Sequence, residues 1–178
     1  LAMARQGEFV RASNLIVDLA NNGDSSAQYV LSMYFRDPNA LNIPEVGEMW
    51  LLRAAENNNA KAQYDLGWRL AAGWKNDTVE DIVEMIYWFE RATFNGSDDA
   101  YANLATLYDN QHRNVLLEME VAANNGNAMA QFNLGWINAR GLMSSEGLMQ
   151  DIDVAKAWFE KSANLGFKDA IEVLEKNF

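Results

Sequence analysis

Along the chain, small and apolar residues return every three or four positions, the period that lays them on one side of an α-helix. Ala62, Leu66 and Leu70 follow this rule, as do Trp88 with Ala92 and Trp158 with Ser162. The same helical phrase is then repeated. Residues 62–73 read AQYDLGWRLAAG and residues 130–141 read AQFNLGWINARG. Looser copies begin at Ala27 (AQYVLS), Ala100 (AYANLA) and Ala170 (AIEVLE), so successive copies are 35, 38, 30 and 40 residues apart. A period in the mid-thirties with insertions is the signature of stacked helix pairs.

A second phrase alternates with the first. WLLRAAENN (50–58), WFERATFNG (88–96) and WFEKSANLG (158–166) align without gaps, and LIVDLANNG (15–23) and EMEVAANNG (118–126) are weaker copies. Each ends in glycine or, once, in Asn58, residue types that enter the left-handed conformation cheaply at a helix C-terminus. Each unit therefore reads as helix A, a variable loop, helix B and a tight turn into the next helix A. Ser25 with Gln28 fits a capping box, and Ser97, Asp98 or Asn127 can start other A helices. Asp81 and Asp151 suit the starts of B helices, and Pro38 and Pro44 delimit the first A–B loop. Small residues at Gly67, Gly135, Ala54, Ala92 and Ala122 are expected to let helices approach, with Trp50, Trp88 and Trp158 filling the space beside them. A mid-helix glycine costs roughly 1 kcal/mol against alanine, so its recurrence at one phase implies a packing reason.

The alternation of A-x-Y-x-L-G with G-x-x-x-x-D-x-x-x-A-x-x-W-x-x-x-A-x-x-G resembles Sel-one-like repeats, a subfamily related to tetratricopeptide repeats. The fourth unit fits best, through Ala130, Phe132, Leu134, Gly135, Gly141, Asp151, Ala155, Trp158, Ala163 and Gly166. The third departs most, with Ala102 in the aromatic place and Glu118 where tryptophan belongs. The expected fold is all-α, a right-handed α-solenoid of stacked antiparallel helix pairs forming one domain over 1–178. It comprises an orphan helix over 4–22, repeats over about 24–58, 59–96, 97–126 and 127–166, and a capping helix over 167–177. The degenerate third unit is expected to pack less well than the fourth.

The resemblance also implies that the A helices line a concave face. Carried onto this chain, that line is Tyr29 and Met33, Tyr64 and Trp68, Ala102 and Thr106, and Phe132 and Trp136. Each pair is spaced i, i+4 and so shares one helical face. Tyr29, Tyr64 and Phe132 also sit at the family's common aromatic position, where packing between repeats is the plainer explanation. Trp68 and Trp136 occupy a position that normally varies, so they are the expected anchors for a bound chain. Asp65, with Asp99, Asp109 and Asp169, would border that strip with negative charge.

Charge sharpens the partner. Fourteen Lys and Arg against 25 Asp and Glu give a net charge of −11. That balance repels phosphate backbones and argues against nucleic acid. It favours a protein or peptide with a basic face, gathered by electrostatic steering. No apolar run approaches the ~20 residues needed to span a bilayer. There is no cysteine, hence no disulfide framework and no thiolate chemistry. The opening LAMARQGEF is neither an initiator methionine nor a secretion signal and reads as a trimmed or mature form.

Candidate chemistry is sparse. His112 is the sole histidine and lies in a polar stretch, DNQHRN. Ser144 and Ser145 sit in a glycine-flanked loop, and no nucleophile-elbow, dinucleotide or P-loop pattern occurs. Glu80, Asp81 and Glu84, or Asp98 and Asp99, could pair for acid–base or metal work, but helix N-termini commonly carry such carboxylates for electrostatic reasons. The expectation is a non-enzymatic scaffold with neither metal nor cofactor. Bacterial members of the family suggest an exported protein, either an immunity protein that neutralises a secreted toxin such as a phospholipase or an envelope regulatory adaptor. A hydrolase or a glycan-binding protein using the groove is the alternative from another class.

Overall fold

The computed structural model describes residues 14–73, 78–108, 113–141 and 150–178. Helix α1 covers 14–21. It is followed by α2 (Ser25–Arg36), α3 (Pro44–Glu56), α4 (Ala60–Gly73), α5 (Val79–Phe94) and α6 (Asp98–Tyr108). The chain continues through α7 (Arg113–Asn124), α8 (Ala128–Arg140), α9 (Ile152–Asn164) and α10 (Lys168–Asn177), with no strand among the described residues. Helices pair as α2/α3, α4/α5 and α8/α9, with α10 against α9, while α6 and α7 touch each other much less. The architecture is an all-α solenoid.

The turns between units follow from their sequence. At the end of α5, Gly96 takes φ 92°, and the N–H groups of Gly96 and Ser97 donate to Thr93 O and Ala92 O. This is the Schellman arrangement, which satisfies carbonyls that the helix end leaves bare. Asn58 does the same at φ 63° after α3, with a side chain in place of glycine's hydrogen. The following A helices are capped by Asn59, Ser97 and Asn127, whose side chains accept from Ala62 N, Ala100 N and Ala130 N. Helix α2 differs from the expected capping box. Asp24 is the cap, accepting from Ala27 N at 2.7 Å, and Gln28 points inward instead.

That inward glutamine is a repeating device. Gln28, Gln63 and Gln131 each donate to the carbonyl eight residues earlier, Ala20, Ala55 and Ala123, at 2.8–2.9 Å. One buried amide thus pins each of α2, α4 and α8 to the B helix before it, while α6 carries the exposed Tyr101 at this place. In the first two units the amide oxygen accepts in turn from Asn57 or Asn95, each at 2.9 Å.

The recurring glycines are packing notches, as their phase implies. A Cβ on Gly67 would stand 2.8 Å from the Phe89 ring, and one on Gly135 only 2.5 Å from the Phe159 ring. The ring in the notch is therefore the phenylalanine after each tryptophan, a correction to the expectation that Trp88 and Trp158 fill it. Unit one inverts the scheme, with Ser32 at the glycine's place, Leu51 at the phenylalanine's, and the notch moved to Gly47, over which Arg36 passes.

Unit four does not stack only on unit three. Helix α5 also lies directly against α8. Along one stripe of α5, Val83 O accepts from Asn133 Nδ2 at 2.8 Å, Tyr87 meets Phe132 ring to ring at 6.0 Å, Glu90 pairs with Arg140, and Phe94 meets Trp136 at 5.4 Å. The largest core lies around this helix, from Ile82, Ile86 and Phe89 through Leu104 and Met119 to Leu134 and Ile137.

Candidate partner-binding surface

Met33, Trp68, Thr106 and Trp136 hold the same place in successive A helices, six residues after the motif alanine. The structure treats them differently. Trp68 is 53 % exposed and borders an apolar depression formed with Ala71, Met85, Phe89, Thr106 and Leu107. Thr106 spends its hydroxyl on the Ala102 carbonyl of its own helix at 3.0 Å, so it adds no free donor to this wall. Small residues at Ala102 and Thr106 in α6 leave the indole uncovered. Tyr64 is packed rather than presented: its ring is 5.8 Å from that of Phe89 and its hydroxyl accepts from Asn103 Nδ2 at 3.3 Å. On the preceding A helix, α2, Met33 is exposed. Tyr29 donates to Asp65 Oδ2 at 3.1 Å, and Arg36 approaches the same oxygen at 3.5 Å. Burial, and after it the Asp65 carboxylate, raises the Tyr29 phenol above its ordinary pKa.

Phe132 and Trp136 lie elsewhere. Phe132 is only 2 % exposed, beneath Tyr87 and Phe167. Trp136 is wedged among Phe94, Phe132 and Phe159 with the Arg140 guanidinium 4.9 Å above its ring. Both border a second depression with Asn58, Arg91, Asp169 and Lys176, which shares no residue with the Trp68 depression. The two tryptophans are thus not brought together. Volumes of about 280 Å³ at Trp68 and 210 Å³ at Trp136 fall below the ~300–1,000 Å³ typical of small-molecule pockets.

What covers unit four is a polar and aromatic network that the sequence reading missed. Tyr87 donates to Asp169 Oδ2 at 2.9 Å and accepts from Arg91 Nη1 at 2.8 Å. Arg91 reaches the same Asp169 oxygen at 3.1 Å and donates to Asn58 Oδ1 at 2.6 Å. Burial pushes the Tyr87 phenol up to about 12, with Asp169 adding to the rise and Arg91 opposing it. Asp169 was expected as open negative charge and is instead consumed here. Glu90, fully buried, pairs with Arg140. A signal was available: VEDIVEMIYWFERATF carries apolar residues on more than one face, the mark of a helix enclosed by several neighbours.

Electrostatically the described surface is one-sided. Arg36, Arg69, Arg91, Arg140 and Lys176 are bonded to carboxylates. Arg53, Lys156 and Lys161 lie over the rings of Trp50, Phe178 and Trp158. Most positive charge is committed internally, which leaves carboxylates in excess. His112, Ser144, Ser145 and Asp109 lie outside the described residues. Asp81 forms a capping box with Thr78, Glu84 accepts from Trp88 Nε1 at 3.2 Å, and Asp98 and Asp99 stand in the first turn of α6. Among the described residues no three His, Cys, Asp or Glu side chains are grouped so as to hold a metal.

The repeat geometry has its counterpart among known families, for the Sel1 repeat matches residues 25–59, 60–96 and 128–167. The chain belongs to the Sel1 repeat family. A Sel1 repeat protein from Oxalobacter formigenes is 27 % identical with a TM-score of 0.41, the match covering 93 % of this chain and 98 % of that one. The antigen c5321, a protective antigen present in uropathogenic Escherichia coli strains and displaying an SLR fold, is 23 % identical with a TM-score of 0.46, over 86 % of this chain and 33 % of its own. No match was found among curated proteins. Membership of the Sel1 repeat family points to a protein–protein interaction scaffold. No helix among the described residues is long and apolar enough to cross a membrane.

Proposed function

We propose that this Sel1 repeat protein holds a protein or peptide on its A-helix face, with Trp68 as the anchor and an apolar side chain of the partner in the depression beside it. The observation that carries this reading is the half-bare indole. Burying apolar surface gains about 25 cal/mol per Å², so an indole left out over an apolar hollow marks a place where association is favourable. Met33, Tyr29, Tyr64, Asp65 and Thr106 belong to the same surface, whereas Phe132 and Trp136 border a separate depression and are left out of it. The carboxylate excess supports a partner with a basic face. It also fits an acidic inhibitor of a cationic toxin, so an exported immunity protein is the specific role we favour over an envelope adaptor.

Capture of partners from lysate at physiological and high salt tests the surface. Trp68→Ala, with helicity unchanged by circular dichroism, abolishes capture if the reading holds, and added salt weakens it. Full capture by Trp68→Ala overturns the assignment, and turnover lost on changing Glu80 or Glu84 would replace the scaffold with an enzyme.

A further inference from the structure

The molecule already contains one example of what its A-helix face accepts. On α8 that face is Phe132, Asn133, Trp136 and Arg140, and on it lies a helix of the same chain. Helix α5 presents Val83, Tyr87, Glu90, Arg91 and Phe94, spaced 4, 3, 1 and 3 residues, which is a single helical stripe. Each part of the stripe meets a counterpart: the Val83 carbonyl takes Asn133, Tyr87 takes Phe132, Glu90 takes Arg140, Phe94 takes Trp136, and Arg91 reaches Asp169 in α10.

The corresponding positions in α4 are Tyr64, Asp65, Trp68 and Ala72, and nothing of this chain's described residues covers the indole there. Two substitutions define how its occupant must differ from α5. Asp65 replaces Asn133, which turns a neutral donor into a carboxylate still 31 % exposed beside Arg36. Ala72 replaces Arg140, so the cation that neutralises a buried glutamate is missing. A second α5-like helix would therefore fit only without the acid at the Glu90 place, and it would gain from a cation facing Asp65.

Resting on the scaffold reading above, we propose that the α4–α6 face docks an amphipathic helix of a protein partner. This helix carries an aromatic or large aliphatic residue for the Trp68 depression and an arginine or lysine for Asp65, with no carboxylate on the same stripe. It follows the helix-in-groove mode of recognition, whose anchors recur at i, i+4 and i+7. The carboxylate excess of the surface selects the same sign of partner.

A direct probe is a fluorescently labelled, helix-stabilised peptide of residues 79–94 bearing Glu80→Lys and Glu90→Gln, titrated against the intact protein by anisotropy. The two changes clear the stripe of carboxylates and set a cation one turn from the Val83 place that faces Asp65. Saturable binding is expected, weakened about tenfold or more by Trp68→Ala or by Asp65→Asn in the protein. Keeping Glu80 in the peptide has a comparable effect, whereas Asp169→Asn in the protein shifts the affinity by no more than about twofold. The proposal is overturned by the absence of saturable binding. It is equally overturned by loss on Asp169→Asn with none on Asp65→Asn, because the peptide would then be taking α5's own seat. Equal binding by a proline-broken peptide would show an extended ligand instead. If Trp68-dependent capture of a partner survives while the peptide does not bind, the scaffold stands and the helical occupant falls.

Discussion

Gly135 of α8 lies against the ring of Phe159 in α9 so closely that a single methyl group placed on it would stand 2.5 Å from a ring carbon. Gly135→Ala gains up to about 1 kcal/mol of helix propensity but overpacks the core at a cost of ~1–3 kcal/mol. Urea unfolding is expected to show net destabilisation, and adding Phe159→Leu should recover part of it. A Gly135→Ala protein more stable than its parent would show that α8 and α9 can part without loss.

Gln131 differs from its two equivalents in one bond. Its Oε1 is buried without a partner, whereas Gln28 and Gln63 accept from Asn57 and Asn95 at the C-caps of their B helices. The corresponding C-cap in unit four is Leu165, an exposed residue. Leu165→Asn restores the donor and should raise stability by about 1 kcal/mol, or roughly 2–4 °C in Tm. Calorimetry checks the gain, which should vanish on a Gln131→Ala background if the new bond is its source.

These two cases show how far the sequence could be read. The motif alanines are indeed core residues, with Ala62, Ala100, Ala130 and Ala170 fully buried, and the glycine phase did mark close helix approach. Tight turns at Gly or Asn were legible because only those residues adopt positive φ cheaply. The cap of α2 was misplaced by one residue, since Asp24 and Ser25 are both good caps and Gln28 had a stronger use inside. Least legible was the seat of α5 on α8. Glu90 and Arg91 resemble solvent-facing positions of a B helix until their partners, Arg140 and Asp169, are known. Those partners lie 50 and 78 residues further along the chain, beyond what periodicity can connect. The same contact covers Phe132 and Trp136, whereas Trp68 stays exposed.

Tyr87 should make the protein sensitive to alkali. Its folded pKa is about 12 against an ordinary 10.0, so its contribution is fully present below pH 10 and is lost as pH rises toward 12. Two pKa units correspond to about 2.7 kcal/mol. Unfolding free energies measured from pH 9 to 12 should fall less steeply for Tyr87→Phe than for the parent. Equal slopes would mean that Tyr87 ionises no later in the folded chain than in the unfolded one.

The sparse contact between α6 and α7 predicts where the fold opens first. Glu118, exposed on α7, stands where the other units bury or half-bury tryptophan. Amide hydrogens of α6 and α7 should exchange earlier than those of α8 and α9, because local opening follows local packing. Mass spectrometry of exchanged peptides would reveal this, and equal protection across both pairs would contradict it.

An ideal tandem array can be lengthened or shortened by whole modules, since each touches only its neighbours. This one cannot be edited so freely. The grip of α5 on a helix two modules downstream fixes their mutual register, and inserting or excising a module between them would leave the Glu90 carboxylate enclosed with its guanidinium carried out of reach. One pair of opposite charges thus sets how many modules may stand between α5 and α8.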